Sequence, residues 1–322
     1  MPKISIITTT YKHEKFIRDT IESILAQTFV DWELLIGDDS PDNATWDIIQ
    51  EYAQKDHRIK AWHHAPNKGI VGNMNSLIEN IAPDSEYIAF LEWDDRFAQD
   101  NLEEKMKVFE QYPKVQLVYN DLDFINGSGN IILSSFFKYR HIPFFQNQII
   151  SKETFISLPA GPIASWSTSM VRRQMIEQFP IETLWDDIRY SISDYDWYFR
   201  IATEYPVYGI QKSLTQYRRH SNNLSWANGG TSFDLEKIID IYYERGYFSE
   251  AVYRKKKSWL AITFSIFALE HWNRSDAFKY WKKSIWFSFF YGIIYKLGIL
   301  SFLLIPSRIT STIIKSLIRR GE

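Results

Sequence analysis

The feature that most constrains the fold is a regular alternation of apolar runs and helical patterns over the first 125 residues. Runs rich in β-branched and aromatic residues predict strands at 4–11, 32–39, 59–64, 87–93 and 115–119. Helical patterns lie between them, at 17–25, 44–55, 73–81 and 102–112. Strands that alternate with helices of this length require right-handed crossovers and a sheet covered on both faces. The sequence therefore predicts an α/β fold with a mostly parallel sheet.

A turn signal, Asn126-Gly127-Ser128-Gly129, marks a change in this pattern. Such a sequence favours a β-hairpin, so a small antiparallel part is expected in the second half of the domain. We expect one domain at 1–228, with halves at 1–125 and 126–228. A helical region at 229–322 is expected to follow it.

Polar residues follow three of the predicted strands at their ends: Thr8–Tyr11, Asp38-Asp39 and Asp94-Asp95. In open α/β sheets, ligands bind beyond the carboxyl ends of the strands. Neither a G-x-G-x-x-G nor a P-loop sequence follows the first strand, which argues against a dinucleotide-binding enzyme and a P-loop NTPase. Asp38-Asp39-Ser40 has two interpretations, a carboxylate pair that reads a base and ribose or an Asx turn that caps the next helix.

The segment Glu92-Trp93-Asp94-Asp95 places three acids in four residues after an apolar strand. Their mutual repulsion is relieved by a cation, and carboxylates suit Mg²⁺ or Mn²⁺ held together with substrate phosphates. Strand alternation would put Asp94 and Asp95 on opposite sides, so one carboxylate is expected to bind the metal. A solvated turn before the next helix is the alternative interpretation.

Two further segments carry candidate chemistry. Asp194 lies in the helical segment SDYDWYFRI, where an acid among aromatic residues suits a general base. The alternative is an acid that offsets a helix dipole. The segment Tyr217–Ser221 (YRRHS) offers cations and His220, which suit a diphosphate or a metal.

Composition excludes several classes of protein. The 322 residues contain no cysteine, so disulfide scaffolds, cysteine-ligated metals and cysteine nucleophiles are excluded. The net charge of −2 argues against a nucleic-acid partner. It conceals an asymmetry, because residues 251–322 contain 13 Lys and Arg but only three acids, Glu270, Asp276 and Glu322. Such asymmetry is typical of a tail that binds a charged surface.

Read together, these segments resemble the inverting family-two glycosyltransferases, which have the GT-A fold, a Rossmann-like α/β arrangement. The matching segments occur in the family's order and cover about residues 2–225. They are SIITTTYKHEKFIRDTIESILAQTFVDWELLIGDDS, NKG with Asn75, FLEWDD, SDYDWYFR and YRRHS.

The resemblance implies a role for each matching position. The nucleotide-sugar is expected to bind Thr8, Thr10, Tyr11, Asp39, Asn67, Gly69 and Asn75, with Asp39 at the base. Asp94 would lie near the ribose or donor sugar, and Asp95 would bind Mg²⁺ or Mn²⁺ on the diphosphate. Asp194 falls at the catalytic-base position, and His220 falls where some members close the site over the diphosphate or metal. Met74 stands where many members have Arg, and Ser193 replaces the first acid of a pair.

The function implied is transfer of a sugar from a UDP-, GDP- or dTDP-linked donor to a hydroxyl of a glycan or lipid-linked acceptor. Metal on the leaving group and one base imply inversion. Residues 1–125 would then bind the nucleotide-sugar and 126–228 the acceptor, with Trp166 as a candidate cleft residue. Cell-surface polysaccharide synthesis, of the capsule or O-antigen type, fits such an acceptor. The alternatives are a polyprenyl-phosphate glycosyltransferase and a non-catalytic nucleotide-sugar-binding protein.

The apolar segment 285–305 contains one charge, Lys296, over a length that can span a bilayer. A lysine near the centre of a span costs about 2.5–3.5 kcal/mol, and Gly292 and Gly298 interrupt the segment. Basic residues on both flanks suit a segment that lies on an anionic membrane surface. We expect a cytoplasmic protein attached peripherally to the inner face of the cell membrane. A membrane span and a soluble helix that packs internally or in a homo-oligomer are the alternatives.

Overall fold

A computed structural model of the chain describes residues 3–139, 147–158, 163–181, 193–220, 223, 230–270, 273–288, 293, 296–297 and 299–300. The chain divides into two compact units. The first comprises residues 1–155 and 162–220, and the second comprises 156–161 and 221–322. The domain boundary predicted between residues 228 and 229 lies outside the described residues.

The described residues of the first unit form one sheet of ten strands. They are β1 (Ile4–Thr10), β2 (Trp32–Asp38), β3 (Ile59–His63), β4 (Tyr87–Phe90), β5 (Arg96–Phe97), β6 (Leu117–Ile125), β7 (Ile131–Leu133), β8 (Gln148–Ile150), β9 (Ser169–Arg172) and β10 (Val207–Arg218).

The helices follow the strands along the chain. They are α1 (Ile17–Leu25), α2 (Ala44–Ala53), α3 (Gly69–Ile78), α4 (Asn101–Gln111), α5 (Phe136–Tyr139), α6 (Lys152–Ser157), α7 (Gln174–Gln178), α8 (Ser193–Glu204), α9 (Gly230–Glu244), α10 (Glu250–Glu270) and α11 (Arg274–Phe287). A short 3₁₀ turn covers Trp166–Thr168.

The sheet has the strand order β3-β2-β1-β4-β9-β6-β10-β5, with β7 on β6 and β8 on β10. Strands β3, β2, β1 and β4 are parallel, as are β6 and β10. Strand β9 runs antiparallel between β4 and β6, and the hairpin of β6 and β7 is antiparallel. The predicted α/β class, with a mostly parallel sheet and a small antiparallel part, is confirmed.

Burial in the core accounts for the apolar spacing from which the strands and helices were predicted. Strand β2 is buried along its whole length, as expected for a strand covered on both faces. Helix α1 buries Ile17, Ile21 and Ile24 completely, at the spacing of one helical face. Helix α3 approaches β2 closely at Gly37, where an added Cβ would meet Asn73 Oδ1 at 1.8 Å. A side chain at position 37 would therefore displace the Asn73 side chain and its hydrogen bond to the Gly37 carbonyl.

Strand β4 is shorter than the sequence predicts. It ends at Phe90, and the Asp95 amide donates to the Glu92 carbonyl across a turn. Alternation along a strand therefore does not apply to this segment, so it does not support the expectation that Asp94 and Asp95 lie on opposite sides. Asp94 and Asp95 are both buried in the turn.

The described part of the C-terminal region is helical, as expected, and Lys296 is buried there. The Lys296 ammonium donates to the Ser258 hydroxyl and to the carbonyls of Ser284 and Ser288. Helix α11 ends at Phe287, so the predicted apolar segment 285–305 does not start as a separate helix, and most of it lies outside the described residues. Among the residues that the structure describes, no helix is both long and apolar enough to cross a membrane.

Candidate functional site

The turn after β4, residues 92–95, forms the centre of the candidate site and is held through its backbone. The Thr20 hydroxyl, from α1, reaches the carbonyls of Trp93 and Asp95 at 2.8 and 2.9 Å. The Arg218 side chain, at the end of β10, donates from Nε to the Asp94 carbonyl at 2.7 Å. These three contacts hold the backbone of the turn and do not use its acidic side chains.

The two aspartates of this turn have different surroundings. Asp95 is fully buried, and its oxygens accept from the Ser167 hydroxyl at 2.6 Å and the Arg218 amide at 2.9 Å. Asp94 Oδ2 lies 2.9 Å from His220 Nε2. Both oxygens of Asp95 are therefore engaged by the protein, whereas Asp94 meets an imidazole, which is itself a metal ligand type.

The acids of the turn raise one another's proton affinity. Burial, followed by the charge of Glu92, raises the pKa of Asp94 well above its ordinary value. Burial and the charges of Asp94 and Glu92 do the same for Asp95. The pKa of Glu92 is also raised by burial. A cation at this turn would relieve both the desolvation and the repulsion.

The two arginines of the YRRHS segment contact groups of the protein itself. Arg218 is fully buried, and its guanidinium contacts Asp19 and the hairpin carbonyls of Asn126 and Gly127. Arg219 lies over the Phe124 ring. The His220 side chain, in contrast, contacts the Asp94 carboxylate of the acidic turn.

Asp194 lies in the first turn of α8, where its carboxylate accepts from the Tyr195 amide at 2.7 Å. Burial and the negative charge of Glu92 raise the pKa of Asp194 to about 7. Asp194 is therefore within electrostatic reach of the acidic turn. A carboxyl group with a pKa near neutrality is suited to take up and release a proton under cellular conditions.

The loop after β1 adjoins the acidic turn through stacked rings. His13 stacks face to face on Trp93, and Phe16 and His220 complete the aromatic group. His13 Nδ1 accepts from the Tyr11 amide at 3.1 Å and lies 3.3 Å from the Thr10 hydroxyl. This stacking links the predicted nucleotide loop to the predicted metal turn, a link that no local sequence motif indicated.

The remaining predicted nucleotide residues surround the ends of β1 and β2. The Thr8 hydroxyl is buried without a hydrogen-bond partner in the described part of the chain, and Tyr11 is 42% exposed. The Asp39 amide donates to the Thr10 carbonyl, and its carboxylate contacts His64 Nδ1 at 3.0 Å.

Residues at the start of α3 pack against Asp39. The second carboxylate oxygen of Asp39 accepts from the Lys68 amide at 3.1 Å. Lys68 lies between Asn67 and Gly69, which are both predicted nucleotide-binding residues. Asn67 caps Gly69 with a 2.6 Å hydrogen bond, and Gly69 adopts a positive φ of 71°, which favours glycine. Asn75 instead donates to the Ile181 carbonyl. The structure thus groups Asn67, Gly69 and Asp39, and Asn75 has a separate contact.

A serine-rich stretch before β9 supports the site, and the sequence did not assign it this role. Ser165 donates to Glu92 Oε2 at 2.8 Å, and Ser167 donates to Asp95. Trp166 between them packs with Phe90 and Trp197 and is 6% exposed, so it is a core residue rather than an open cleft surface. Four small hydroxyl residues among positions 165–169 are the sequence feature that could have indicated these hydrogen bonds.

An acidic turn at the carboxyl edge of such a sheet defines a GT-A-type fold, and solved GT-A structures match it. The mannosyltransferase PcManGT from Pyrobaculum calidifontis, in complex with GDP-Man and Mn²⁺, gives a TM-score of 0.61 at 13% identity, covering 99% of this chain and 86% of that one. Staphylococcus aureus TarS 1–349, in complex with UDP-GlcNAc, gives 0.59 at 16% identity, covering 88% and 81%. At these identities the likeness concerns the fold.

The model of glycosyl transferase family 2 matches residues 5–179, and the chain belongs to this family of glycosyltransferases. TuaG of Bacillus subtilis strain 168, named as a teichuronic acid biosynthesis glycosyltransferase, is 26% identical over 224 residues, which cover 70% of this chain and 82% of TuaG. The uncharacterized glycosyltransferase MJ1057 of Methanocaldococcus jannaschii is 28% identical over 275 residues, covering 83% and 88%.

Proposed function

We propose that this chain is a metal-dependent inverting glycosyltransferase that moves a hexosyl group from a nucleoside-diphosphate donor to a hydroxyl of a glycan or lipid-linked acceptor. One observation carries the proposal. Asp194, with a pKa of about 7, lies within electrostatic reach of an acidic turn whose Asp94 contacts His220. A proton acceptor and a cation-binding edge are the two requirements of this reaction.

The donor atoms of the turn fit a divalent cation when a diphosphate completes its coordination. Within the described residues, no group of three or more His, Asp or Glu side chains is arranged to hold a metal by itself. Mg²⁺ and Mn²⁺ commonly take one or two protein ligands and fill the remaining positions with phosphate oxygens and water. Asp94 and His220 supply an oxygen and a nitrogen at one place.

Asp94 is the better candidate for the metal than Asp95, to which the sequence assigned this role. Asp95 is fully buried, and hydrogen bonds from Ser167 and Arg218 hold its carboxylate in place, whereas the Asp94 carboxylate lies beside an imidazole that can share a cation. We therefore assign Asp94 and His220 to Mg²⁺ or Mn²⁺, and Asp95 to holding the turn. The bound cation would neutralise the departing diphosphate.

The reaction proceeds as one displacement. The Asp194 carboxylate accepts the proton of the acceptor hydroxyl while the hydroxyl oxygen forms a bond to the anomeric carbon. The bond from that carbon to the diphosphate oxygen breaks, and the nucleoside diphosphate leaves with the electron pair. Attack opposite the leaving group inverts the anomeric configuration. Burial of Asp194 favours the reaction because it makes the carboxylate more basic than an exposed one.

The nucleotide is assigned to the edge formed by β1, β2 and the start of α3. Thr8, Thr10, Tyr11 and Asp39 lie at the ends of these strands, and the Asn67–Gly69 turn packs on Asp39. The unpartnered Thr8 hydroxyl and the exposed Tyr11 ring are consistent with a ligand at this edge. Asn75 remains a proposed pocket residue on α3.

The biological setting is proposed from the relatives. TuaG is named for teichuronic acid biosynthesis, and a second relative, EpsE of B. subtilis, is 30% identical over 136 residues and is named as a glycosyltransferase. We assign this chain to cell-surface polysaccharide synthesis. A lipid-linked acceptor would place it at the inner face of the cell membrane.

The decisive experiment offers purified protein UDP-, GDP- and dTDP-linked sugars with Mg²⁺, Mn²⁺ or EDTA. Release of nucleoside diphosphate from one donor class, lost with EDTA, supports the proposal. The configuration of the new linkage, read by NMR, tests inversion. Donor binding without turnover toward any glycan or lipid-linked acceptor would favour a binding protein instead.

A further inference from the structure

The outer face of α11 exposes large aromatic residues beside lysines. Trp286 is 78% exposed and Phe278 is 43% exposed, and Lys279 and Lys282 are exposed between them. At 3.6 residues per turn, these four residues lie within about 100° of the helix circumference. We call them the aromatic–lysine face of α11.

The opposite side of α11 is packed, which fixes the orientation of this face. Ala277 and Ser284 are fully buried, and the Ser284 carbonyl accepts from both Ser258 and Lys296. The Trp281 indole donates to the Lys296 carbonyl at 2.8 Å. The helix therefore cannot turn its exposed aromatic residues inward without breaking these contacts.

The lysines of the face differ from those nearby. Lys257 and Lys283 both form ion pairs with Glu236. Within the described part of the chain, neither Lys279 nor Lys282 has a carboxylate at salt-bridge distance, and their ammonium groups lie over the rings of Tyr280 and Phe278. The face thus presents uncompensated positive charge together with apolar rings.

We infer that the aromatic–lysine face of α11 docks on an anionic lipid bilayer surface. Tryptophan favours the membrane–water interface, and lysines between aromatic residues attract anionic headgroups. Ile293 and Leu297, which are 37% and 60% exposed, add apolar surface further along the chain. The sequence placed membrane contact in 285–305; the structure instead points to a face that begins at Phe278, since Lys296 is buried.

Charge argues against a second copy of the chain as the occupant. A two-fold dimer presents the same patch from both subunits. Lys279 and Lys282 would then oppose the same lysines, and α11 contains one acid, Asp276, which contacts Asn273 at its start. An anionic surface has the complementary charge that a second copy lacks.

Vesicle co-sedimentation of the full chain tests this inference independently of glycosyl transfer, because it needs neither donor nor acceptor. Binding is expected to vesicles that contain phosphatidylglycerol, and to be weak on pure phosphatidylcholine or in high salt. Lys282→Glu should reduce binding about 25-fold, at about fivefold per unit of charge. Trp286→Ser should reduce it about tenfold.

Two matched controls use exposed residues of the first unit. Val30 is 67% exposed and Lys114 is also exposed. Val30→Ser and Lys114→Glu should leave vesicle binding unchanged, and thermal unfolding should show that all four variants are folded. Equal binding by Lys282→Glu and the parent would overturn the inference. So would a dimer, seen by light scattering, that Trp286→Ser converts to a monomer without any vesicle binding.

Discussion

In the first unit three buried carboxylates share one turn, whereas in the second unit each buried lysine has its own acceptors. Glu92, Asp94 and Asp95 repel one another and have raised pKa values. The lysines of the second unit bind oxygen atoms: Lys256 the Leu158 carbonyl, Lys257 Glu236 and Asp240, and Lys296 three serine oxygens.

The difference separates two uses of buried charge. A buried charge that the protein itself satisfies holds structure together. A cluster of like charges with incomplete compensation retains affinity for an ion from solution. We propose that Asp95, whose oxygens accept from Ser167 and Arg218, is of the first kind and that Asp94, beside His220, is of the second, although they are neighbours in the chain. The predictions below are arranged to test this division.

The largest expected effect is on Asp194. Asp194→Asn removes the proton acceptor and should lower kcat by about 10²- to 10⁴-fold while donor affinity is retained. Steady-state kinetics with donor-binding calorimetry measure both quantities. Asp196→Asn is the matched control, because Asp196 is paired with Arg200 in the same helix and should affect stability more than turnover. If Asp194→Asn turned over at the rate of the parent, Asp194 could not be the catalytic base.

The two aspartates of the turn should respond differently to the same substitution. Asp94→Asn should weaken Mn²⁺-dependent donor binding by more than about tenfold, because even the loss of a residue that only hydrogen-bonds to a metal ligand has an effect of that size. Asp95→Asn should instead lower the free energy of unfolding by about 1–3 kcal/mol, since it disturbs two buried hydrogen bonds.

Calorimetry with and without metal, together with denaturant unfolding, separates these results. Should Asp95→Asn abolish metal-dependent binding in a protein of unchanged stability, the roles of Asp94 and Asp95 would have to be exchanged.

Turnover should depend on pH through Asp194. A base acts when deprotonated, so kcat should rise as pH increases through about 7, where this carboxyl group titrates. The folded-state pKa is raised, so the associated stability is full below the unfolded value and lost as pH rises through about 7.

Asp194→Asn should therefore be more heat-stable than the parent at pH 8, with the difference vanishing at acidic pH. Kinetic profiles and melting curves check the two statements separately. A flat profile between pH 6 and 8, with chemistry limiting, would contradict the first.

The smallest effect is expected in the second unit. Lys257→Met leaves Asp240 without this partner, while Glu236 retains Lys283. Loss of about 1–2 kcal/mol of unfolding free energy is expected, below the cost of breaking a fully buried pair, because Asp240 is partly exposed. Turnover of the folded protein should not change. If the folded Lys257→Met protein also had a lower kcat, the charges of the two units would not have separate roles.

The sequence predicted the fold well where local periodicity determines it. Apolar spacing identified α1 and its buried isoleucines, and the β-branched runs identified β1 and β2 to within a residue or two. It did not identify β9 as the antiparallel strand between β4 and β6, because β9 lies about 80 residues from β4 and about 50 residues from β6 in the sequence. No local pattern encodes such a partner.

The sequence proposed residues for the candidate site but not the contacts between them. It singled out the acids after β4 and Asp194 because their residue types are unusual at those places, and their roles stay predictions. The bond from Ser167 to Asp95 spans 72 positions in sequence, and the stack of His13 on Trp93 joins two loops. These contacts decide which carboxylate is engaged by the protein, and they exist only after the chain has folded.

The hydrogen bonds from Thr20 and Arg218 to the turn have a consequence for substitutions there, whether they arise in evolution or by engineering. The Thr20 hydroxyl and the Arg218 guanidinium hold main-chain carbonyls of residues 93–95. A peptide group is the same in every residue, so the Asp94 side chain can be exchanged while these contacts keep the shape of the turn. Asp94→His or Asp94→Glu thus offers a route to a different metal preference on an unaltered backbone.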